Sequence, residues 1–175
     1  MRAAIVLRLA AVLLAAFLPV QARAQADTVT IVALGASHTA GWGVPFDQAY
    51  PARLQALLQA KGVDAVVRNR GIAGDTTGGM LARLESVVRP GTRLVILQPG
   101  TNDEHMGLGN ERAGNIEKIR ALLDARGIKL VVMENSVLDA LPRSELREDR
   151  VHFTPAGYAM LAERMLPEVL AALGR

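Results

Sequence analysis

Four short segments of the chain hold the residue types that acyl transfer needs. They offer a serine hydroxyl, a glycine N–H group, an asparagine amide, and an aspartate placed three residues before a histidine. A nucleophile, hydrogen-bond donors for an oxyanion and an oriented base are the groups that attack on an acyl carbonyl requires. In chain order the segments are Gly35-Ala36-Ser37, Gly71-Ile72-Ala73-Gly74-Asp75, Gly100-Thr101-Asn102-Asp103 and Asp149-Arg150-Val151-His152.

The predicted nucleophile is Ser37. Serine after a strand is more often a turn residue or helix N-cap, so the residue alone indicates little. The surrounding pattern is not the G-x-S-x-G elbow of α/β-hydrolases, because Thr39 stands two positions later. Gly41-Trp42-Gly43 also lacks the third glycine of a dinucleotide-binding fingerprint. The other three segments therefore decide how Ser37 is interpreted.

The predicted base is His152, with Asp149 as the residue that orients it. A carboxylate can hold one imidazole nitrogen and fix the tautomer, while the other nitrogen accepts the serine proton. Asn102 and the N–H groups of Gly74 and Ser37 would then stabilise the oxyanion. Each residue also has a plainer interpretation, since Asn commonly satisfies turn backbone and Asp-x-x-His is commonly a polar loop. Metal binding through the histidines is the weaker alternative, because no pair has helical ligand spacing; we expect no metal and no cofactor.

The elements that must position these residues alternate between strands and helices. Strands are predicted at 28–34, 64–69, 93–97 and 128–133, a loop at 71–79, and helices near 51–61, 80–88, 116–123 and from Thr154-Pro155 onward. This alternation indicates an α/β protein with a parallel sheet covered on both faces. Ser37, Gly74 and Asn102 each follow the carboxyl end of a strand. These ends share one edge of such a sheet, which is where ligands bind.

The N-terminal residues 1–26 are typical of a cleaved signal peptide. Arg2 precedes an apolar run from Leu9 to Val20, and Ala24-Gln25-Ala26 resembles a cleavage site. A retained anchor is disfavoured because the uninterrupted run is short for a membrane span. We expect an exported protein, periplasmic or secreted, with one domain at 27–175 and no stable membrane insertion after cleavage.

Charge gives no indication of a nucleic-acid partner. The net charge of +3 comes from 20 basic and 17 acidic residues, and three of the basic residues but no acidic ones lie within 1–26. The remaining chain thus has 17 of each sign, with no basic run that would favour nucleic acid. There is no cysteine, so export would not rely on disulfides.

Together the four segments identify a family resemblance. The stretches ALGASHTAGWG, NRGIAGDTTGGMLARL, LQPGTND and DRVHFTPAGY resemble the four motif blocks of the SGNH hydrolases, the GDSL-type esterase/lipase family. The likeness is to small bacterial exported members related to multifunctional acyl-CoA thioesterase I/arylesterase. The resemblance implies a flavodoxin-like three-layer α/β/α sandwich with strand order 2-1-3-4, often with a fifth strand. It also implies a metal-free Ser-His-Asp mechanism on carboxylic esters or thioesters.

The chain departs from the family pattern in two places. Ala36 replaces the aspartate of the usual Gly-Asp-Ser, a carboxylate that buttresses the site without being the triad acid. The stretch between Asn102 and Asp149 is shorter than usual, so we expect four strands or a shortened set, with an open cleft. His38, Thr39, Trp42 and Asn69 are predicted to line its rim.

The expected activity is hydrolysis of short-acyl or aryl esters or thioesters, with a small-molecule, lipid or sugar ester as substrate. The same residues would also suit a polysaccharide or cell-wall O-deacetylase or an acyltransferase. A third alternative is a non-catalytic binding protein on a hydrolase scaffold, for which Ala36 is the only support.

Overall fold

The computed structural model describes residues 28–175 and contains a sheet of four parallel strands. The strands are β1 (Val29–Gly35), β2 (Ala65–Gly71), β3 (Thr92–Gln98) and β4 (Lys129–Val132), arranged in the order β2-β1-β3-β4. The predicted α/β class is confirmed, as is the strand order that the family resemblance implied. Each strand lies within one or two residues of its predicted position. The proposed signal peptide falls outside the described residues.

Helices connect the strands and cover both faces of the sheet. They are α1 (Ser37–Ala40), α2 (Tyr50–Ala60), α3 (Thr77–Ala82), α4 (Leu84–Val87), α5 (Asn102–His105), α6 (Gly109–Asp124), α7 (Asn135–Asp139) and α8 (Pro155–Ala172). The loop predicted at 71–79 ends earlier than expected, because α3 begins at Thr77. The single helix predicted over 80–88 is divided at Arg83, which separates α3 from α4.

The core is divided by the sheet into two apolar clusters. Ile31 and Ala33 of β1 face the cluster that contains α2 and α8, whereas Val32 and Leu34 face the cluster of α3, α4 and α6. All four side chains are completely buried. A strand buried on both faces has no polar alternation, which is why β1 reads as a continuous apolar run.

The last helix positions the segment that carries the predicted base. Thr154 is its N-cap and accepts a hydrogen bond from the Gly157 N–H at 3.1 Å, and Pro155 occupies the first turn, as predicted. Leu161, Met165 and Val169 recur every four residues and are buried. Burial of each such side chain stabilises the docking of α8 by about 1.5–3 kcal/mol. His152 therefore lies two residues before a firmly anchored helix cap.

The end of β2 approaches the backbone of α1 so closely that Gly71 has no room for a side chain. A Cβ at Gly71 would lie 2.1 Å from the Ala40 nitrogen and 2.6 Å from its Cα. We expect Gly71→Ala to lower the free energy of unfolding by about 1–3 kcal/mol or more, because backbone must move. Urea unfolding would measure this change.

The matched control is Gly114→Ala in the exposed part of α6, where a Cβ would meet nothing within 4 Å. This substitution should raise stability by up to about 1 kcal/mol, because alanine favours helix more than glycine does. Equal effects of the two substitutions would contradict the packing argument.

Candidate active site

Ser37 begins α1 directly after the turn that ends β1. The turn is fixed from the neighbouring strand by Gln98, whose Oε1 accepts the Ala36 N–H at 3.1 Å and the Thr39 hydroxyl at 3.2 Å. Gln98 is fully buried and pairs with Gly35 in the sheet register. The sheet thereby holds the backbone on both sides of Ser37 in place.

Asp149 and His152 form the orienting pair that the sequence predicts. Asp149 Oδ2 lies 2.7 Å from His152 Nδ1, and Oδ1 accepts the N–H groups of Val151 and His152, both at 2.9 Å. These hydrogen bonds, led by that of the His152 N–H, hold the pKa of Asp149 well below its ordinary value. Because the folded pKa is depressed, this stabilisation is present above the unfolded pKa and is lost as pH falls through the folded one.

The tautomer of neutral His152 follows from this pairing. An ionised carboxylate only accepts hydrogen bonds, so the ring proton is on Nδ1 and Nε2 carries a lone pair. His152 Nε2 is buried and has no hydrogen-bond partner among residues 28–175. A buried nitrogen without a partner is rare in proteins. It is therefore available to accept a proton from a group that enters the site.

The loop that carries the pair is closed by backbone hydrogen bonds. The Arg147 N–H donates to the His152 carbonyl at 2.7 Å, and the Thr154 N–H donates to the Glu145 carbonyl at 2.7 Å. Arg150 takes a left-handed conformation with φ of 57°, which non-glycine residues adopt infrequently. These contacts fix Asp149 and His152 relative to the N-terminus of α8.

Two aromatic side chains lie beside His152. The ring centroids of His38 and Trp42 are 5.3 and 6.1 Å from that of His152. His38 Nε2 lies 3.0 Å from the Val151 carbonyl oxygen. Burial, and to a smaller extent the nearby His152, lowers the pKa of His38, so its neutral form is favoured.

Of the two predicted oxyanion donors outside α1, Asn102 is hydrogen-bonded to Asp75, the residue that follows the other donor, Gly74. Asn102 Nδ2 donates to the Asp75 carbonyl oxygen at 2.7 Å, which leaves its second amide hydrogen for another acceptor. Gly74 has φ of +79°, and a Cβ there would meet nothing within 4 Å. Its glycine is thus required by the backbone conformation rather than by space.

One cleft of about 1150 Å³ brings these groups together, and it is called the cleft below. Ser37, Gly74, Asn102 and His152 all line it, although they come from four separate segments. Asp149 does not line the cleft but contacts His152 from the side. His38 and Trp42 are at the cleft as expected, and Trp42 is 54% exposed.

Thr39 and Asn69 do not line the cleft, so the expectation that they form its rim is corrected. Thr39 is the buried residue of α1, and its hydroxyl donates to Gln98 Oε1. Asn69 instead binds backbone, with Nδ2 donating to the Ala40 carbonyl at 3.4 Å and Oδ1 accepting the Gly71 N–H at 2.9 Å. Both support the turns around the site without reaching a ligand.

Residues 33–143 match the model of the GDSL-like lipase/acylhydrolase family. This chain belongs to that family. The match includes Ser37, Gly74 and Asn102 and ends before Asp149 and His152. It confirms the resemblance that the motif segments predicted.

Similar proteins are known from curated sequences and from solved structures. An arylesterase of Vibrio mimicus is 34% identical over 120 residues, which are 67% of this chain and 60% of that protein. This chain therefore spans less than two thirds of that relative. The crystal structure of TesA has a TM-score of 0.74 at 22% identity and covers 82% of this chain and 99% of its own. AlinE4, described as an SGNH-hydrolase family esterase, has a TM-score of 0.63 at 26% identity and covers 84% of this chain and 97% of its own.

In this GDSL-like family member Ala36 stands where the usual Gly-Asp-Ser has its aspartate. The residues around Ala36 explain how the turn after β1 is supported without that carboxylate. Ala36 is 2% exposed, and its N–H is bound by Gln98. Arg83 adds a second support, since it pairs with the Asp75 carboxylate at 2.7 Å and donates to the Gly35 carbonyl at 3.2 Å. Gln98 and Arg83 lie within two of the motif segments but were not predicted as site residues, because neither supplies a group that acyl transfer needs.

Three arginines of the cleft were also missed. Arg143, Arg147 and Arg150 line the cleft of this family member together with Ser37 and His152. Their close spacing just before His152 was a visible signal. It was passed over because charged residues in a loop are usually solvated surface.

Within residues 28–175 there is no group of three or more His, Cys, Asp or Glu side chains that could hold a metal ion. In the same part of this GDSL-like chain, no helix is long and apolar enough to cross a membrane.

Proposed function

We propose that this chain is a serine ester hydrolase that cleaves carboxylic esters or thioesters with short acyl or aryl groups. The observation that carries the proposal is the state of His152. Its Nδ1 is held by Asp149 at 2.7 Å. Its Nε2 is buried without a partner among residues 28–175, in the cleft that Ser37 also lines. This is the arrangement that a general base for a serine hydroxyl requires.

In the proposed reaction Ser37 Oγ attacks the acyl carbonyl carbon and its proton passes to His152 Nε2. The C–O or C–S bond to the leaving group then breaks, and the same proton moves to the departing oxygen or sulfur. Water, deprotonated by His152, attacks the acyl-Ser37 ester and releases the acid together with free Ser37. Asp149 stabilises the imidazolium in both steps. Atoms and charges balance with water as the only co-reactant.

The proposed oxyanion donors are the N–H groups of Ser37 and Gly74 and the side-chain amide of Asn102. The hydrogen bond from Asn102 to the Asp75 carbonyl fixes the amide plane before substrate arrives. Donors that need no reorganisation stabilise the developing charge more than mobile ones do. The proposal therefore assigns this hydrogen bond a positioning role.

The proposal can be tested with p-nitrophenyl acetate, butyrate and octanoate together with a fluorophosphonate probe. We expect turnover of the shorter esters and a phosphonyl adduct, located by peptide mass spectrometry, on Ser37. The chain-length profile distinguishes an acetyl-specific enzyme from a general esterase. No turnover and no adduct would reject the hydrolase proposal in favour of a binding protein.

We expect Asn102→Ala to lower kcat for p-nitrophenyl butyrate by about 10²–10³-fold, since one oxyanion donor is lost. KM should change little, because the donor acts mainly in the transition state. Steady-state kinetics beside Asn110→Ala, an exposed asparagine near the start of α6, would check this. A rise in KM at unchanged kcat would instead indicate a ground-state binding role.

Deacetylation of sugar esters is a second candidate, favoured by Trp42. Its indole is 54% exposed and lies beside His152, where an aromatic ring could stack on a sugar. Release of acetate from acetylated oligosaccharides at rates above those on p-nitrophenyl acetate would support it. Transfer of the acetyl group to an added sugar acceptor would identify an acyltransferase.

We also propose that the protein is exported, to the periplasm or beyond the cell. The basis is the signal-like pattern of residues 1–26. Expression of the full chain in a bacterium, followed by fractionation and N-terminal sequencing, would test it. A full-length product confined to the cytoplasm would reject it.

A further inference from the structure

One wall of the cleft carries three arginines that lack acidic partners. Arg143, Arg147 and Arg150 are exposed side chains, and all three line the cleft. None of them forms a salt bridge with any residue of 28–175, and none of their guanidinium groups donates a hydrogen bond within that range. Their charges are therefore open to a ligand.

Few acidic side chains line the cleft itself. Asp139 is the one acidic side chain lining it in the part of the chain that the structure describes. Glu148 and Asp149 line an adjoining pocket, which Arg147 also reaches. The lining of the cleft therefore has more arginines than acidic residues.

The Arg147 side chain lies against the backbone of Gly43. Gly43 has φ of +81°, and a Cβ on it would lie 2.6 Å from Arg147 Nε and 2.8 Å from Cζ. The guanidinium thus packs against a backbone surface that only glycine leaves open.

The position of the arginines indicates which part of an ester they would meet. In the proposed mechanism, on which this inference rests, His152 delivers a proton to the leaving oxygen, so that oxygen must come within hydrogen-bond reach of Nε2. Arg150 stands two residues before His152, and the Arg147 N–H binds the His152 carbonyl. The three arginines therefore belong to the loop that carries the proton donor for the leaving group, and the oxyanion donors Gly74 and Asn102 belong to other loops.

We propose that Arg143, Arg147 and Arg150 form an anion-binding wall that selects esters whose alcohol portion carries a phosphate or a carboxylate. Guanidinium groups bind both anions through paired N–H donors. The arginines take no part in bond making or breaking. They position the substrate by its charge.

The first test compares two acetyl esters that differ only in the charge of the leaving phenol. They are 4-acetoxybenzoate and its methyl ester, with each kcat/KM divided by the rate constant for hydroxide-catalysed hydrolysis. We expect the anionic ester to be favoured about tenfold, with about twofold from each arginine. The preference should vanish between about 0.01 M and 1 M salt, where the Debye length falls from about 30 Å to about 3 Å.

Two triple variants identify the source of the preference. Arg143→Gln, Arg147→Gln and Arg150→Gln together should bring the ratio of the two esters close to one. The matched control replaces Arg53, Arg68 and Arg93, three exposed arginines that do not line the cleft, and should leave the ratio unchanged. The proposal would be overturned if the triple Gln variant of the cleft arginines kept the wild-type ratio of the two esters. It would also be overturned if the control variant lost the preference to the same extent.

A second ester pair tests the assignment to the leaving-group side. The mono-p-nitrophenyl ester of adipic acid carries its charge on the acyl end and is compared with p-nitrophenyl hexanoate. We expect no arginine-dependent preference between them. A preference that appears here and not with the acetoxybenzoates would overturn the assignment.

Binding can be followed without turnover, which separates this inference from the proposed function. Trp42 is the one tryptophan of the chain and lies in the cleft. Hexyl phosphate and hexanoate should alter its fluorescence at lower concentrations than hexan-1-ol does, and the relative strengths show which anion is preferred. Loss of this difference in the variant with Arg143, Arg147 and Arg150 replaced by Gln would support the anion-binding role of the arginines, even if no ester is hydrolysed. No difference in the wild type would reject it.

Discussion

Replacing Ser37 by alanine is expected to lower kcat for p-nitrophenyl butyrate by about 10⁴-fold or more, because the nucleophile of the proposed acyl-enzyme is removed. The residual rate would come from the oxyanion donors and from binding. The free energy of unfolding should change by less than about 0.5 kcal/mol, since Ser37 is partly exposed and its side chain makes no hydrogen bond among the described residues. Steady-state and burst kinetics would measure the loss.

The matched control for Ser37 is Ser136, an exposed serine of α7 that does not line the cleft. Ser136→Ala should keep full activity. The fluorophosphonate adduct should disappear only with Ser37→Ala. Retained turnover in Ser37→Ala would mean that water is activated directly by His152, and the acyl-enzyme would be withdrawn.

Replacing Asp149 by asparagine is expected to lower kcat by about 10⁴-fold while the fold is retained. The asparagine oxygen can still accept hydrogen bonds from the Val151 and His152 N–H groups, which Asp149 Oδ1 accepts at 2.9 Å in the wild type. Its amide group would then face His152 Nδ1 as a donor. The ring proton would move to Nε2, which could no longer accept the Ser37 proton. Kinetics on p-nitrophenyl butyrate, with NMR of the imidazole nitrogens, would check both the rate and the tautomer.

Asp139→Asn is the control for this change, because it removes an equal charge from the cleft lining without touching His152. With a neutral ester its effect should be less than about fivefold, the range of an exposed charge interaction. Similar losses for the two variants would show that Asp149 acts through its charge alone. The tautomer explanation would then be wrong.

The strands of the fold could be predicted from the sequence because they are buried. The β1 run is apolar throughout because both faces are covered, and it was placed to within a residue. The division of one predicted helix at Arg83 could not be anticipated. Arg83 turns toward the Asp75 carboxylate and the Gly35 carbonyl, and these partners come from other elements. The helical spacing of apolar residues shows only which face of one segment is buried. It does not show which partners other elements provide.

The sequence predicts the site residues whose type is required by the chemistry. It does not predict the direction in which packing turns a side chain. Ser37, Gly74 and Asn102 meet at one cleft because strand ends share an edge, and the loop before α8 brings His152 to the same cleft. Thr39 looked equally available from its position in the chain. It points the other way, because Gln98 of the adjacent strand offers its hydroxyl a buried partner. The arginine wall depends on the path of the connection between α7 and α8, which the periodicity of the sequence does not predict.

Asp75 joins the three loops that follow β1, β2 and β3. Its carboxylate holds Arg83, which reaches the Gly35 carbonyl, and its own carbonyl holds the amide of Asn102. Substitutions that share partners in this way do not add independently. Mutational paths through these positions should therefore be epistatic. A change at residue 75 that is deleterious alone becomes acceptable after a compensating change at residue 83, so variants of this protein should vary at these two positions together.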